Sequence, residues 1–361
     1  MAIKVAVALS GGVDSSVAAW LLKEQGHEVY GVTMDLGLPP TTAEREGRCR
    51  SRDNEDARRV CQKLGIPHYV LDFAGDLEAL VIHPFVAEYL RGRTPNPCVE
   101  CNRSLKFGSL LRRVQELGCD FLATGHYARV EHRSEGFRLR KPRDTRKDQT
   151  YFLYALGREQ LPRVLFPLAP YLKEEVRALA AAAELPVAER PESQDICFLP
   201  EGDLASLLRH YGHTELAGGD IVTRNGKVLG RHRGLPFYTV GQRSGLGISN
   251  PVPLYVLALD VPGNRLVVGE KEEVRATGLV ADSLNILADE LPARATAKIR
   301  YAHRAAPCTI IWGEETMTVR FDAPQEAITP GQSVVVYDGE VVLGGGIIRE
   351  ATGCFSPGKR L

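Results

Sequence analysis

The first two hundred residues alternate short apolar runs with longer amphipathic segments. The apolar runs predict buried parallel strands at residues 3–9, 28–33, 68–72 and 121–124. The segments between them carry apolar positions at helical spacing and predict helices at residues 17–25, 54–64, 77–90 and 105–117, with one more at 173–184. Regular alternation of strand and helix predicts a doubly wound parallel sheet with helices on both faces.

The pattern changes after about residue 209, where glycine, proline and short alternating segments become frequent. Beyond residue 274 the chain becomes strand-rich, with turn signals at Pro330-Gly331-Gln332 and Asp338-Gly339. We therefore predict an α/β domain over 1–208, a small connector domain over 209–273 and an antiparallel β-barrel or sandwich over 274–361.

Composition narrows the class of protein. Charged residues make up 25% of the 361 residues and the formal net charge is zero, so binding to nucleic acid would depend on local patches. No apolar run approaches the roughly 20 residues of a membrane span, and no signal segment precedes the first strand, which predicts a cytoplasmic protein. Eight cysteines in a reducing compartment are then expected to be free, catalytic or metal-binding thiols.

The sequence Ser10-Gly11-Gly12-Val13-Asp14-Ser15 joins the first predicted strand to the first predicted helix. Glycines at such a turn let the backbone approach an anion, and the N–H groups and dipole of the following helix favour negative charge. Asp14 is suited to hold a cation such as Mg²⁺ beside phosphates. No lysine ends the loop, so it is not a GxxxxGK[ST] loop. It resembles the pyrophosphate loop of enzymes that cleave ATP between its α- and β-phosphates. The alternative is an ordinary glycine-rich turn.

A second motif is Pro95-Asn96-Pro97-Cys98-Val99-Glu100-Cys101-Asn102, just before the helix predicted from Leu105. A thiol near a helix N-terminus is expected to have a lowered pKa and hence more thiolate. The C-x-x-C spacing by itself fits a zinc half-site, a redox pair or chance, and the sequence holds no second such pair. Cys197, in a proline-bounded loop, is a candidate to meet the pair. The better interpretation of three other cysteines is core filling: Cys61, Cys119 and Cys308.

Five separated motifs together resemble the tRNA-specific 2-thiouridylase family. They are the SGGVDSS loop, TPNPxxxCN from Thr94, TGHYAR from Thr124, KDQTYFLY from Lys147 and SxDICF from Ser193. The likeness continues through Tyr238–Arg243, Ile299–Tyr301 and Pro330–Gln332, so it covers essentially the full chain. It implies an adenine-nucleotide α-hydrolase-like catalytic domain, a tRNA-binding connector and a C-terminal β-barrel.

The resemblance implies 2-thiolation of the wobble uridine of tRNA. ATP would transfer AMP to the C2 oxygen of this urea-like base, and sulfur would then attack C2 and expel AMP. Cys101 stands at the family's nucleophile position, and Cys197 stands at the position that carries a persulfide. The ATP site would comprise Ala8, Leu9, Ser10, Gly11, Gly12, Val13, Asp14, Ser15, Met34 and Gly125. The tRNA contacts would be Asn96, Pro97, Cys98, His126, Lys147, Asp148, Gln149, Arg300, Tyr301 and Gln332.

One residue departs from the family pattern, which has Asp at the position of Cys98. Cys98, Cys101 and Cys197 could therefore hold a [4Fe–4S] cluster whose free iron binds inorganic sulfide. The persulfide route and the cluster route remain alternatives, as do three inert thiols. The implied partners are ATP with Mg²⁺, tRNA and a sulfur donor, either a persulfide carrier or sulfide. Nothing in the reaction requires more than a monomer.

Three stretches are rich in basic residues. Residues 129–147 hold eight Lys or Arg against three acids, residues 224–247 hold five against none, and residues 294–304 hold four against none. In a chain without net charge this favours an RNA-binding surface over a merely solvated face. Phe237 and Tyr238, interleaved with arginines, are candidates to stack on bases.

Two other functions fit part of the sequence. Another pyrophosphate-loop enzyme could adenylate an acid or amide and trap it with nitrogen, and it would not need the loop cysteines. An RNA-binding protein with an inactive nucleotide domain would not release pyrophosphate from ATP.

Overall fold

The structure is a computed structural model that describes residues 2–38, 50–134, 136–191, 196–199, 203–213 and 216–353. The chain divides into two compact units. The first unit comprises Met1–Ile82, Cys98–Pro200 and Glu340–Val342, and the second comprises His83–Pro97, Glu201–Gly339 and Leu343–Leu361.

A five-stranded parallel sheet forms the centre of the first unit. Its order is β3-β2-β1-β4-β7, with β1 Lys4–Ala8, β2 Glu28–Asp35, β3 His68–Asp72, β4 Phe121–Ala123 and β7 Val164–Leu165. Val5, Ala6 and Val7 of β1 have no exposed surface, as expected for a strand covered on both faces. The predicted parallel sheet is confirmed.

Helices pack on this sheet close to their predicted positions. They are Val13–Glu24, Arg50–Leu64 and Lys173–Ala182. The helix predicted over 77–90 is instead divided into Ala74–Leu77, a π-helix Glu78–Ile82 and His83–Leu90, and the short helices Thr150–Leu153 and Leu161–Arg163 were not predicted. The first helix begins at Val13, four residues earlier than predicted. The prediction relied on apolar spacing, and the first turn holds polar Asp14 and two serines. Cys61 lies in the core beside Val17 and Val60, which confirms its predicted structural role.

The helix predicted over residues 105–117 begins earlier and is irregular. An α-helical turn Pro97–Glu100 continues into a π-helix, Cys101–Leu110, and then into an α-helix, Leu111–Glu116. A hairpin of β5 Arg129–Arg133 and β6 Gly136–Arg140 follows β4. The pattern analysis missed this hairpin, because its strands are short, basic and only partly buried.

The second unit contains two β-structures and the helices His83–Leu90 and Leu204–His210. A four-stranded sheet has the order β10-β11-β8-β9, formed by β8 Gly219–Thr223, β9 Val228–His232, β10 Tyr255–Asp260 and β11 Arg265–Gly269. Its core includes Ile221, Val256 and Leu266. Short 3₁₀ helices lie at Leu235–Phe237 and Lys271–Val274.

A closed six-stranded antiparallel barrel completes the fold and confirms the barrel prediction. Its strands are β12 Arg275–Ile286, β13 Arg294–Lys298, β14 Ala306–Trp312, β15 Met317–Glu326, β16 Ser333–Asp338 and β17 Val341–Thr352. Pairing of β12 with both β15 and β17 closes it. Cys308 is fully buried in β14 and Cys119 is nearly so in the first unit, as predicted for core thiols. Within the described residues, no helix is long and apolar enough to cross a membrane.

Candidate active site

The loop at residues 10–15 lies where β1 ends and the helix Val13–Glu24 begins. Gly12 precedes this helix in an extended conformation, and Gly11 has a φ of +69°, which favours glycine. The Ser15 hydroxyl donates to the Gly12 carbonyl at 3.3 Å and lies 3.3 Å from the Ser10 hydroxyl. The loop therefore has the compact strand-turn-helix geometry that suits an anion at the helix N-terminus.

Asp14 is paired with a lysine that the sequence analysis did not select. The Lys173 Nζ donates to both carboxylate oxygens of Asp14 at 2.7 Å, and the Tyr127 hydroxyl donates to Oδ1 at 3.0 Å. Lys173 is only 7% exposed and begins the helix Lys173–Ala182. The loop lacks a lysine of its own, but the fold supplies one from 159 residues away.

Buried Asp144 holds the backbone at Lys173. Its carboxylate accepts from the Lys173 N–H at 3.0 Å and from the Arg146 N–H at 3.1 Å. Burial alone would raise the pKa of Asp144, but these hydrogen bonds and the Arg146 charge outweigh it and lower the pKa. The lysine facing the phosphate loop is thus fixed by an ionised aspartate at its own backbone.

Arg190 fastens the other side of the phosphate loop. Its guanidinium donates to the Gly11 carbonyl and to Asp56, both at 2.8 Å, and also to Asp53. A Cβ at Gly11 would lie 2.5 Å from the Asp53 carbonyl oxygen, so only glycine fits there. Arg190 was also missed by the sequence analysis, because no local motif marks it.

The other predicted ATP residues follow neighbouring strands at the carboxyl edge of the sheet, where such folds bind ligands. Ala8 and Leu9 end β1, half-buried Met34 lies near the end of β2, and Gly125 follows β4. A Cβ at Gly125 would lie 2.6 Å from the Ser15 nitrogen, so this glycine packs directly on the first turn of the helix. Val13 is buried beneath the loop.

The thiols Cys98, Cys101 and Cys197 lie within electrostatic reach of one another in the first unit. A charge on either Cys98 or Cys197 would raise the pKa of Cys101. Desolvation raises the pKa of Cys98, and it raises the pKa of Cys101 to about 11, despite the opposing charge of Lys106. The predicted lowering at a helix N-terminus is therefore wrong, because removal of water from the thiol outweighs the helix dipole.

The π-helix Cys101–Leu110 fixes what surrounds Cys101. Its N–H groups bond to carbonyls five residues earlier, so Lys106 follows Cys101 by one turn. Asn102 is 2% exposed, and its amide donates to the Phe152 carbonyl at 3.0 Å. This bond ties the cysteine segment to the helix that follows Gln149.

His126 has a neutral imidazole that is surrounded by other side chains. Burial, with the Lys106 charge, lowers the pKa of His126 well below its ordinary value. Its Nδ1 lies 2.8 Å from the Thr124 hydroxyl, and its ring lies 5.9 Å from that of Phe107 and 6.2 Å from that of Phe166. A neutral imidazole held in this way suits hydrogen bonding rather than charge pairing.

The predicted tRNA residues at 147–149 are tied to the TGHYAR segment. The Gln149 Oε1 accepts from the Tyr127 N–H at 2.8 Å, and the buried Asp148 accepts from the Thr150 N–H at 2.9 Å. Gln149 and Asp148 therefore shape the segment, whereas Lys147 ends the basic stretch. Several arginines of that stretch form ion pairs, among them Arg133 with Glu131 and Arg143 with Glu175.

In the second unit, Arg300 donates to the Glu326 carbonyl at 3.1 Å. Tyr301 is 37% exposed, with the Lys298 ammonium 5.5 Å from its ring centroid. Gln332 is half-buried, and Asn96 and Pro97 precede the cysteine pair.

The predicted stacking role of Tyr238 is wrong, because this ring is 4% exposed and belongs to the core of the sheet. Phe237 is covered by the Arg233 guanidinium at 5.1 Å.

The residues proposed as metal ligands do not fit a metal ion as they stand. Both Asp14 oxygens are already bound by Lys173. Over the described part of the chain, no three His, Cys, Asp or Glu side chains form a group that could hold a metal ion. The three thiols are near one another without the convergence that a cluster needs.

Three family models match successive parts of the chain. A tRNA methyl transferase HUP domain matches residues 3–201, a tRNA methyl transferase PRC-barrel domain matches residues 206–270, and an aminomethyltransferase beta-barrel domain matches residues 276–348.

Curated relatives are similar over nearly the whole chain. A tRNA-specific 2-thiouridylase of Syntrophus aciditrophicus is 53% identical, covering 96% of this chain and 93% of that protein. One of Geotalea uraniireducens is 49% identical, with 96% and 95% covered, and one of Symbiobacterium thermophilum is 48% identical, with 97% and 93% covered.

Proposed function

The chain belongs to the tRNA-specific 2-thiouridylase family, and from that premise we propose that it catalyses ATP-dependent 2-thiolation of the wobble uridine of tRNA. It is a tRNA-uridine 2-sulfurtransferase. The observation that carries this proposal is that one compact unit holds both a pyrophosphate loop and three neighbouring thiols. The nitrogen-transfer alternative is not favoured, because that chemistry has no use for these thiols.

The first chemical step is adenylation of the C2 oxygen. ATP binds against residues 8–15, Met34 and Gly125, with its phosphates at the N-terminus of the helix Val13–Glu24. The uridine oxygen attacks the α-phosphorus and pyrophosphate departs. Lys173 and the loop N–H groups lie where they stabilise the added negative charge on the phosphates.

The second step transfers sulfur. Cys197 carries a persulfide received from a donor, and its outer sulfur attacks C2 and expels AMP, which leaves the uridine joined to Cys197 through an S–S bond. The Cys101 thiolate then attacks the Cys197 sulfur, so that this bond breaks and 2-thiouridine departs. The resulting Cys101–Cys197 disulfide is reduced by an external thiol before the next turnover. Cys101 is the partner nucleophile, and Lys106 is the positive charge that opposes the desolvation of its thiol. Since burial keeps Cys101 protonated at neutral pH, it is unreactive until substrates change its surroundings.

Two metal-dependent features remain separate proposals. Mg²⁺ enters on the phosphates of ATP rather than on Asp14, whose oxygens face Lys173. A [4Fe–4S] cluster on Cys98, Cys101 and Cys197 requires a rearrangement that brings all three thiols to one site. The persulfide route requires no such rearrangement and is the one we favour.

The substrate and setting follow from the same premise. The tRNA contacts are those implied by the resemblance, namely Asn96, Pro97, Cys98, His126, Lys147, Asp148, Gln149, Arg300, Tyr301 and Gln332. We propose a catalytic domain over 1–208, a tRNA-binding connector over 209–273 and a β-barrel over 274–361. The enzyme acts in the cytoplasm, as a monomer, with a persulfide carrier or sulfide as its sulfur donor.

Nucleoside mass spectrometry of unmodified tRNA, after incubation with ATP, Mg²⁺ and either a persulfide carrier or sulfide, tests the proposal. Aerobic protein and anaerobic, iron-reconstituted protein are compared, together with Cys98→Ala. Equal 2-thiouridine from both preparations supports bare thiols. Product only from brown, reconstituted protein that Cys98→Ala bleaches supports the cluster. No product from either preparation, despite release of pyrophosphate, overturns the proposed reaction.

A further inference from the structure

Three motifs that lie far apart in the chain meet within the second unit. They are the TPNP segment (residues 94–97), the YTVGQR motif that begins at Tyr238, and the PGQ turn (residues 330–332). The TPNP segment carries Asn96 and Pro97, which we propose as uridine contacts, and it leads directly into Cys98. The other two motifs have no role in the chemistry described above.

Hydrogen bonds from the barrel hold the start of the TPNP segment. The Gln332 Nε2 donates to the Thr94 carbonyl at 2.8 Å and, with a longer contact of 3.5 Å, to the Pro95 carbonyl. The Thr94 N–H donates in turn to the Pro330 carbonyl at 2.9 Å. The Thr94 hydroxyl donates to the Thr239 hydroxyl at 3.2 Å, so the YTVGQR motif supplies a third attachment.

Gly331 brings the two backbones together. It has a φ of +92°, and a Cβ there would lie 2.8 Å from the Thr94 nitrogen and 3.0 Å from its carbonyl oxygen. These neighbours are backbone atoms, which cannot rotate away as a side chain would. Only glycine therefore permits the PGQ turn to lie flat against Thr94.

The anchors are themselves fixed in regular structure. The Gln332 carbonyl accepts from the Ile348 N–H at 2.8 Å, and the Gly331 N–H donates to the Ile348 carbonyl at 2.9 Å, so β17 holds the PGQ turn. The Thr239 N–H donates to the Gln242 Oε1 at 3.1 Å. Prolines leave the TPNP segment with only two N–H groups, those of Thr94 and Asn96, so it needs bonds from elsewhere to keep one conformation.

We propose that Gln332 is a positioning residue, whose amide clamps Thr94 and Pro95 so that Asn96 and Pro97 present one fixed surface to the extruded uridine. We call Thr94, Pro95, Thr239, Gly331 and Gln332 the TPNP clamp. This inference rests on the proposed function and deepens it, because it gives the connector and the barrel a part in holding the target base. In this role Gln332 acts on the uridine through the loop, in addition to the tRNA contact proposed for it above.

The test uses the full chain with Gln332→Glu, which keeps the shape of the side chain but replaces the donating NH₂ by an oxygen that the two carbonyls repel. Gln325→Glu is the matched control, since the Nε2 of half-buried Gln325 also donates to a carbonyl, that of Ala323 at 2.7 Å, in an exposed hydrogen bond on the same barrel. Gly331→Ala is the second variant. Melting temperatures identify any variant that has not folded.

Two readouts are measured, single-turnover thiolation at saturating tRNA and the dissociation constant for tRNA. The clamp predicts that Gln332→Glu lowers the single-turnover rate at saturating tRNA about 10- to 100-fold, the scale of a misplaced substrate, a loss that more tRNA does not restore. A raised dissociation constant with an unchanged rate would leave Gln332 as a tRNA ligand alone and overturn the inference. Equal behaviour of Gln332→Glu and Gln325→Glu in both readouts would overturn it as well.

Hydrogen exchange at the Thr94 amide separates the clamp from the reaction. The clamp predicts faster exchange in Gln332→Glu and Gly331→Ala than in Gln325→Glu, without any substrate present. If the wild-type protein makes no 2-thiouridine, the proposed function fails while this measurement still decides the clamp. Unchanged exchange at Thr94 in the folded variants would refute the clamp, whatever the enzyme makes.

Discussion

The phosphate loop and the cysteine pair both lie at the start of a helix, where the rule is that N–H groups and the helix dipole favour negative charge. This rule predicts an anion site at the loop and a lowered pKa at the thiol. At the phosphate loop the rule holds, because Gly11 and Gly12 leave the N-terminal N–H groups open to an anion. At Cys101 it does not hold, since desolvation raises the pKa to about 11. The difference teaches that a helix N-terminus decides backbone geometry locally, whereas the charge state of a side chain depends on what packs around it.

We expect the greatest loss of activity from removal of the Cys101 thiol. Cys101→Ser should lower 2-thiouridine formation by about 1,000-fold or more, the scale seen when a covalent nucleophile is removed. Release of pyrophosphate from ATP should persist, because the phosphate loop is untouched. Nucleoside mass spectrometry and a pyrophosphate assay measure the two steps, with Cys119→Ala as the control. Thiolation that survives in Cys101→Ser would remove this residue from the mechanism.

The next effect falls on the phosphate side. Lys173→Met removes the positive charge beside Asp14 and should slow ATP-dependent pyrophosphate release about 100- to 1,000-fold. Lys63→Met is the matched control, because Lys63 also donates to a carboxylate, that of Glu184 at 2.8 Å, but its side chain is 42% exposed against 8% for the side chain of Lys173. The control should lose little, as exposed pairs contribute little. Equal losses in both variants would show that only fold stability is affected.

Alkylation of Cys101 sharpens the electrostatic contrast. A pKa raised from 9.0 to about 11 means that the thiolate fraction at pH 8 is about 100-fold below that of an ordinary thiol. The raised pKa favours the protonated form, so the alkylation rate should keep rising through pH 9 and level off near 11. Iodoacetamide labelling, with fragment masses that separate Cys101 from Cys98, measures it. In the protein unfolded by urea, the alkylation rate should level off near the ordinary thiol pKa of 9.0. If the folded protein also levelled off near pH 9, burial would not be raising the pKa of Cys101.

The smallest effect tests the phosphate loop's geometry. Gly11→Ala should weaken ATP binding about tenfold, because the left-handed conformation is strained and the new Cβ meets the Asp53 backbone. Gly118→Ala carries similar strain at a φ of +79°, but nothing lies within 4 Å of its Cβ. Isothermal titration calorimetry with ATP compares the two variants. Equal ATP affinities in both would mean that the loop tolerates the displacement.

Much of the fold could be predicted from pattern alone. Strand β3 has its predicted bounds, residues 68–72. The errors have physical causes. Tyr238 was assigned to the surface because flanking arginines conceal its burial. The π-helix at Cys101–Leu110 could not be predicted, because a search for apolar positions at α-helical spacing does not distinguish a π-helix from an α-helix.

The parallel sheet, the phosphate loop and the candidate thiols could be predicted from the sequence, because strand periodicity and turn chemistry act between residues that are close along the chain. The pairing of Lys173 with Asp14, of Arg190 with Gly11 and of Gln332 with Thr94 became visible only in the folded chain. The folded chain also decided the protonation of Cys101. The ion pair and the hydrogen bonds join residues more than 100 positions apart, which only folding brings together. The loss of water at Cys101 likewise depends on the residues that pack around it in the folded chain.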